Sequence, residues 1–345
     1  MEFNKLGNSG LVVSRMTLGA MTFGNVGYRG FKSQVDQKGA NEMVARSLDA
    51  GINFFDTADM YSEGESEISL GKALGNRRKD VIVSTKVFFH FGKEIKHGGL
   101  SYNHVVEACD QSLRRLGTDY IDLYLLHNVD LNTPMEETAR ALEHLHRQGK
   151  IRYVGNSNYS AWQTQKLMDI QRQHGWVSLT ASQVYYSLVG RELEYDVLPQ
   201  AEDAGLGLMI WSPLAGGFLS GKYTRENPDG NKGRRANFDF PPIDIEKGYD
   251  IVEVMRKIGD NHNASPAQVA LAWLLTKPQV STVIVGASNL DQLDTNLAAA
   301  NLKLADDEIA TLDEISTPKP VYPTWIHFGD QVIDGALRDG WTPEK

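Results

Sequence analysis

Four residues of this chain have side chains suited to handling a proton together: Asp56, Tyr61, Lys86 and His127. Asp56 directly follows the short apolar run at residues 52–55, in the segment NFFDTADMYS, and Tyr61 comes five residues later. A tyrosine, with an unperturbed pKa of about 10, is a poor acid at neutral pH. A lysine ammonium beside the phenol favours phenolate and lowers that pKa. Asp56 would keep Lys86 charged and in place. His127 would donate a hydrogen bond to a carbonyl oxygen held against Tyr61. Such a group protonates an oxygen as charge develops on it, which is the chemistry of carbonyl reduction.

Each residue alone has a plainer reading. Asp56 and Lys86 suit a structural ion pair, Tyr61 a packing tyrosine, and His127 a satisfied core histidine. What changes the weighting is the position of all four. Asp56, Lys86 and His127 each end a predicted strand, and Tyr61 lies on the loop after Asp56. Strand ends are where α/β folds place their chemistry.

The elements that must position them are legible as an alternation. After a hairpin around Gly7-Asn8-Ser9-Gly10, strands are expected at 15–18, 52–55, 81–85, 121–126, 151–154, 179–182, 207–210 and 281–285. Helices are expected at 41–50, 65–74, 102–116, 135–148, 161–174, 192–204, 266–276 and 290–300. Gly51, Gly75, Gly117, Gly149, Gly175 and Gly205 each stand just past a helix, the usual place for a left-handed cap. The strands are rich in Val, Ile and Leu and mostly do not alternate, as in sheets buried on both faces. Eight such units predict a (β/α)8 barrel, in one domain spanning 1–345. A doubly wound sheet would usually carry G-x-G-x-x-G after its first strand, and none is present. The barrel gathers Gly19, Asp56, Lys86, His127, Asn158, Gln183, Trp211 and Gly286 at one mouth. Long loops are expected at 21–39 and 216–248. The tail from residue 318, with Tyr322, Trp325, Phe328 and Trp341, is expected to fold back onto the barrel.

Composition narrows the function classes. Of 345 residues, 41% are hydrophobic and 23% charged, enough for a sizeable core, and the net charge of −9 argues against bulk nucleic-acid binding. The single cysteine, Cys109, excludes an intrachain disulfide framework and fits a reducing, cytoplasmic location. Neither a signal peptide nor a membrane span is expected. No metal is expected: H-E-x-x-H is missing, and His144 and His146 read as surface residues. A G-x-S-x-G elbow is missing too.

With those residues in place, the sequence resembles the aldo-keto reductase superfamily over nearly its whole length. The motifs are LGNSGLVVSRMTLG, NFFDTADMYSEGESEISLGKAL, VIVSTK, YIDLYLLH, GKIRYVGNSN, ASQVYYS, WSPLAGGFLSGKY and VIVGASNLDQLDTN. The branch looks like that of bacterial aryl-alcohol-type reductases and potassium-channel β subunits. The resemblance implies a catalytic tetrad of Asp56, Tyr61, Lys86 and His127, with Tyr61 the proton donor. It implies an NADP cofactor, with NAD possible. Ser157, Asn158 and Gln183 match residues that hold the nicotinamide carboxamide, and Trp211 the aromatic stacked on its ring. Ser212, Leu214, Gly216 and Lys222 match the pyrophosphate loop. Gly286, Ser288, Gln292 and Asn296 match the adenosine end, and Gly19, Met21, Thr22 and Asp56 complete the cofactor set.

There are departures from the family pattern. Thr295 replaces a common glutamate at the adenine, and no Lys or Arg lies between Lys277 and Lys303. A 2′-phosphate would then rely on Arg235. Met21, Phe23, Met60, Phe88, Asn128 and Trp325 are candidates for the pocket wall, each equally readable as a packing residue. The implied function is NADPH-dependent, reversible reduction of an aldehyde or ketone. The alternative is an NADP(H)-binding regulatory subunit with little turnover. The expected partner is a small carbonyl or alcohol substrate; the oligomeric state is not set by the sequence.

Overall fold

The structure, a computed structural model, describes residues 1–26, 35–89, 98–231 and 233–323. Lys232 and the tail from 324, including Trp325, Phe328 and Trp341, lie outside the described residues. Eight parallel strands close into a barrel: β3 (Met16–Gly19), β4 (Phe54–Asp56), β5 (Ile82–Val87), β6 (Ile121–Leu126), β7 (Ile151–Ser157), β8 (Leu179–Tyr185), β9 (Gly207–Trp211) and β10 (Val280–Val285). Closure runs through β10, which pairs with both β3 and β9. An antiparallel hairpin, β1 (Phe3–Lys5) and β2 (Val12–Ser14), precedes them.

The absence of alternation in the strands has its expected cause. Every residue of β5, β6 and β10 is buried, because one face packs into the barrel and the other against helices. Inside, Phe54, Ile82, Leu123, Leu125, Ala181, Met209 and Ile284 form one apolar cluster with Leu6 and Val13 of the hairpin. The hairpin therefore plugs the N-terminal end. Between barrel and helices lies a larger cluster that includes Phe55, Val83, Val87, Tyr124 and Leu126.

The surrounding helices are α1 (Gln37–Asp49), α2 (Glu65–Leu74), α3 (Tyr102–Leu116), α4 (Met135–Arg147), α5 (Ala161–His174), α6 (Val197–Ala204), α7 (Arg234–Asn237), α8 (Ile245–His262), α9 (Pro266–Thr276), α10 (Leu290–Ala298) and α11 (Asp306–Ser316). Ser265 caps α9 by accepting from Gln268 N–H, with Pro266 in the first turn. Gly117, Gly175 and Gly205 stop α3, α5 and α6 in the left-handed conformation.

Three expectations change. The helix expected over 192–204 is broken into a 3₁₀ turn, Glu192–Tyr195, and α6. Pro199 explains the break: it has no N–H to give residue 195 and its ring opposes that carbonyl. The loop expected to reach 248 ends at Asp244, which caps α8 by accepting from Lys247 N–H. That helix is hidden in the sequence because Gly248 interrupts it and Asn263, not glycine, supplies the left-handed stop. A β-carbon at Gly248 would collide with the Phe218 ring, so close packing accounts for that glycine. Helix α11 is also new.

Candidate active site

Strand periodicity builds the site. In β4, Phe54 and Asp56 face the barrel interior and Phe55 faces the helices. In β5, Ile82, Ser84 and Lys86 share the inner face, while Thr85 turns outward and donates to Glu67 Oε1 of α2 at 2.5 Å. Asp56 and Ser84 are register partners across the two strands. The result is a buried carboxylate with a donor on each oxygen. Lys86 Nζ lies 2.6 Å from Asp56 Oδ2, Ser84 Oγ donates to Oδ1 at 2.6 Å, and Gln183 Nε2 donates to the same oxygen at 2.9 Å. Lys86 Nζ also donates to Thr57 O at 2.7 Å and is wholly buried.

The turn after β4 carries Tyr61 over this pair. Thr57 N–H donates to Ser84 O, Asp59 N–H to Lys86 O, and Tyr61 N–H to Ala58 O. Lys86 Nζ stands 5.0 Å from the centre of the Tyr61 ring. His127 follows β6 with its N–H bonded to Val87 O, and its ring meets that of Tyr61 edge-on at 5.8 Å. The four side chains singled out at the start thus converge.

Their electrostatics favour a neutral phenol beside a cation. Burial raises the Tyr61 pKa, and the pull of Lys86 in the other direction does not overcome it. The lowering expected from the sequence is present but outweighed. Burial works against the Lys86 charge, yet attraction to Asp56 and Tyr61 leaves its pKa raised. Burial, helped by repulsion from Lys86, pushes His127 well below its usual value, so its imidazole is neutral. The His127 Nδ1 atom is buried with no hydrogen-bond partner among the described residues.

The other strand-end residues form a second run of bonds. Asn158 Nδ2 donates to His127 O at 2.9 Å and to Ser157 Oγ at 3.0 Å, and Ser157 Oγ donates to Gln183 O at 2.9 Å. Trp211 is flanked by Tyr185 at 5.1 Å and by Phe240, whose ring is nearly parallel at 5.8 Å. Ser212 Oγ accepts from Gly216 N–H at 3.0 Å. Arg235 is buried and bonded within its own loop: to Ala215 O at 3.2 Å, to Pro241 O at 2.8 Å and to the Asp239 carboxylate. Asn289 caps α10, Gln292 Oε1 accepts from Ser288 N–H, and Asn296 Nδ2 donates to Gly286 O. Thr22 Oγ1 donates to Ala287 O, tying the β3 loop to the β10 loop. Ser62, Glu63, Asn158, Ser212 and Ala215 all have positive φ, clustering backbone strain in the loops after β4, β7 and β9.

The family model for aldo/keto reductases matches residues 15–317 of this chain. The chain belongs to the aldo/keto reductase family. Among similar proteins, the versiconal hemiacetal acetate reductase of Aspergillus parasiticus is 34% identical, covering 94% of this chain and 99% of its own. A putative voltage-gated potassium channel subunit beta of Schizosaccharomyces pombe is 36% identical, covering 93% and 95%. The oxidoreductase YrpG of Bacillus subtilis is 35% identical, covering 91% and 96%. The family membership makes this protein an oxidoreductase.

Of the pocket-wall candidates, Met60 is buried and Phe88 half-buried at this mouth, whereas Phe23 is wholly buried in the packed layer around the barrel. Phe89, which sequence reasoning passed over, meets His127 edge-on at 4.9 Å. Asp59 was also missed. It is wholly buried, and no side chain among the described residues hydrogen-bonds to its carboxyl oxygens. Burial, reinforced by Glu67, raises its pKa well above the usual carboxyl range despite Arg115 nearby. His144 and His146 bond to Gln148 and Ile151 O on the outer helix layer, away from the mouth. Among the described residues no helix is long and apolar enough to cross a membrane.

Proposed function

We propose that this aldo/keto reductase reduces an aldehyde or ketone to the alcohol with NADPH, Tyr61 giving the proton. The observation that carries the reading is the buried Lys86 ammonium, fixed on Asp56 at 2.6 Å and facing the Tyr61 ring. NADPH, when bound, supplies the two electrons and one hydrogen as hydride at the carbonyl carbon. The chain's residues do the rest. Neutral His127 donates a hydrogen bond to the carbonyl oxygen and orients it. Tyr61 transfers its phenolic proton to that oxygen as negative charge grows there. Lys86 stabilises the phenolate left behind, and Asp56 keeps Lys86 charged and still.

Several features support a dinucleotide at this mouth. Gly216 and Gly217 turn with φ of 67° and 92°, leaving no side chain on that side of the loop. A β-carbon at Gly217 would meet Lys222 Nζ at 3.8 Å, so the ammonium lies beside this glycine turn. Gly286 opens onto free space, and the buried Trp211 Nε1 has no partner among the described residues. On this reading Ser157, Asn158 and Gln183 hold the carboxamide, Trp211 supports the ring, and the N-terminus of α10 faces phosphate. Arg235 would serve a 2′-phosphate by exchanging the Asp239 carboxylate for it. The lone buried Cys109 suits a reducing, cytoplasmic setting.

The relatives named as potassium channel β subunits favour one second reading, an NADP(H)-carrying regulatory subunit with little turnover. Consumption of NADPH and NADH with a panel of aromatic and aliphatic aldehydes separates the two. Turnover at several per second with preference for NADPH is expected. Tight NADPH binding without turnover across the panel would favour the regulatory subunit.

A further inference from the structure

Asp56 accepts three donors, and they are unequally placed. Among the described residues Oδ2 takes Lys86 Nζ alone, while Oδ1 takes Ser84 Oγ at 2.6 Å and Gln183 Nε2 at 2.9 Å. We propose that Ser84 is a positioning residue for proton transfer, its hydroxyl fixing one oxygen of Asp56 so that the other is held on Lys86. The proposal rests on the carbonyl-reduction reading given above.

The fold makes this role specific to Ser84. Parallel register sets it directly beside Asp56, and the two-residue period of β5 puts it on the same inner face as Lys86. Ser84 is wholly buried, so no water competes for its hydroxyl. A hydroxyl donating to a carboxylate at this length is a strong, charge-assisted bond. Gln183, the other holder, hangs from the Asn158–Ser157 run and belongs to the proposed carboxamide seat. Its grip on Asp56 is therefore tied to the proposed cofactor site, whereas Ser84 is the register partner of Asp56 on the neighbouring strand. Without Ser84, Oδ1 keeps Gln183 as its donor among the described residues, and the carboxylate gains freedom about its broad terminal torsion. The Lys86 ammonium, still bonded to Thr57 O, is then held less firmly on Asp56, and its place opposite the Tyr61 phenol loosens.

The test compares wild type, Ser84→Ala and Ser84→Thr. Loss of one bond to a charged group, or slight misplacement of the acid, corresponds to roughly ten- to hundredfold in rate. Ser84→Ala is expected to lower kcat by that factor with KM for NADPH within about twofold. Ser84→Thr, which keeps the hydroxyl, is expected to restore kcat. A readout that needs no turnover is the side-chain ammonium signal of Lys86 in protein labelled with ¹⁵N-lysine, assigned by its loss in Lys86→Met. It should be sharp in wild type and Ser84→Thr and broadened by exchange in Ser84→Ala. Unchanged kcat and an unchanged Lys86 signal in a folded Ser84→Ala would overturn the proposal. So would equal losses in Ala and Thr, which would mark a packing position. Should wild type reduce no carbonyl, the reductase reading fails, and the ammonium signal still decides whether Ser84 holds the pair.

Discussion

Lys86 Nζ sits 2.6 Å from Asp56 Oδ2, with both groups buried at the C-terminal ends of adjacent strands. Burying two charges costs several kcal/mol each, so such a pair is poor evidence of a stabilising device. Its place at the mouth, against the Tyr61 ring, is what the proposed proton transfer requires.

That view predicts an outcome for Lys86→Met. The substitution leaves Asp56 buried with Ser84 and Gln183 as its side-chain donors among the described residues, and removes the cation facing Tyr61. Breaking a buried pair costs about 3–5 kcal/mol. Denaturant unfolding should therefore show a loss of that size, and activity in the folded fraction should be all but abolished. A folded variant of wild-type stability and near-normal kcat would show the pair to be dispensable.

Asp59 gives a pH-dependent prediction. Burial and Glu67 raise its pKa in the folded state. Once pH passes the ordinary carboxyl value of 3.8, the unfolded chain loses this proton while the folded chain keeps it. The folded state then binds more protons, so stability falls with rising pH, by at most about 1.4 kcal/mol per unit from this group. The contribution is fully present below that value and is lost until the raised pKa is reached. Asp59→Asn cannot ionise and escapes the loss. Melting temperatures of the two proteins should coincide near pH 4 and diverge in favour of the variant by pH 8. A constant difference across that range would mean that Asp59 does not titrate as described.

The fold was legible because its signals are local. Apolar runs of strand length, each followed by a helix with a glycine stop, are readable from neighbours in sequence, and Gly117, Gly175 and Gly205 adopt the left-handed φ their positions implied. Asp56, Lys86 and His127 were legible for the same reason, each directly following or ending an apolar strand. Ser84 was not, because its meaning depends on register between β4 and β5. A serine two residues before Lys86 looks like filler until Asp56 is placed beside it. The burial of Asp59, with Glu67 of α2 and Arg115 of α3 in its surroundings, comes from tertiary packing that no local pattern announces. Arg235 was expected at a 2′-phosphate from the resemblance; its bonds to Ala215, Pro241 and Asp239 arise from how the loop folds on itself. The parallel contact of Phe240 with Trp211 has the same origin.

The central claim is that the Tyr61 phenol supplies the proton. Tyr61→Phe keeps the ring beside Lys86 and His127 and removes the hydroxyl that carries the transferable proton. Single-turnover and steady-state NADPH oxidation with an aldehyde substrate, beside NADPH binding by quenching of tryptophan fluorescence, measures the effect directly. A positioned general acid contributes about 10²–10⁴-fold, so kcat should fall by at least that range while NADPH binding changes little. A folded Tyr61→Phe protein that reduced the aldehyde at nearly the wild-type rate would contradict the account, because the proton would then come from another group.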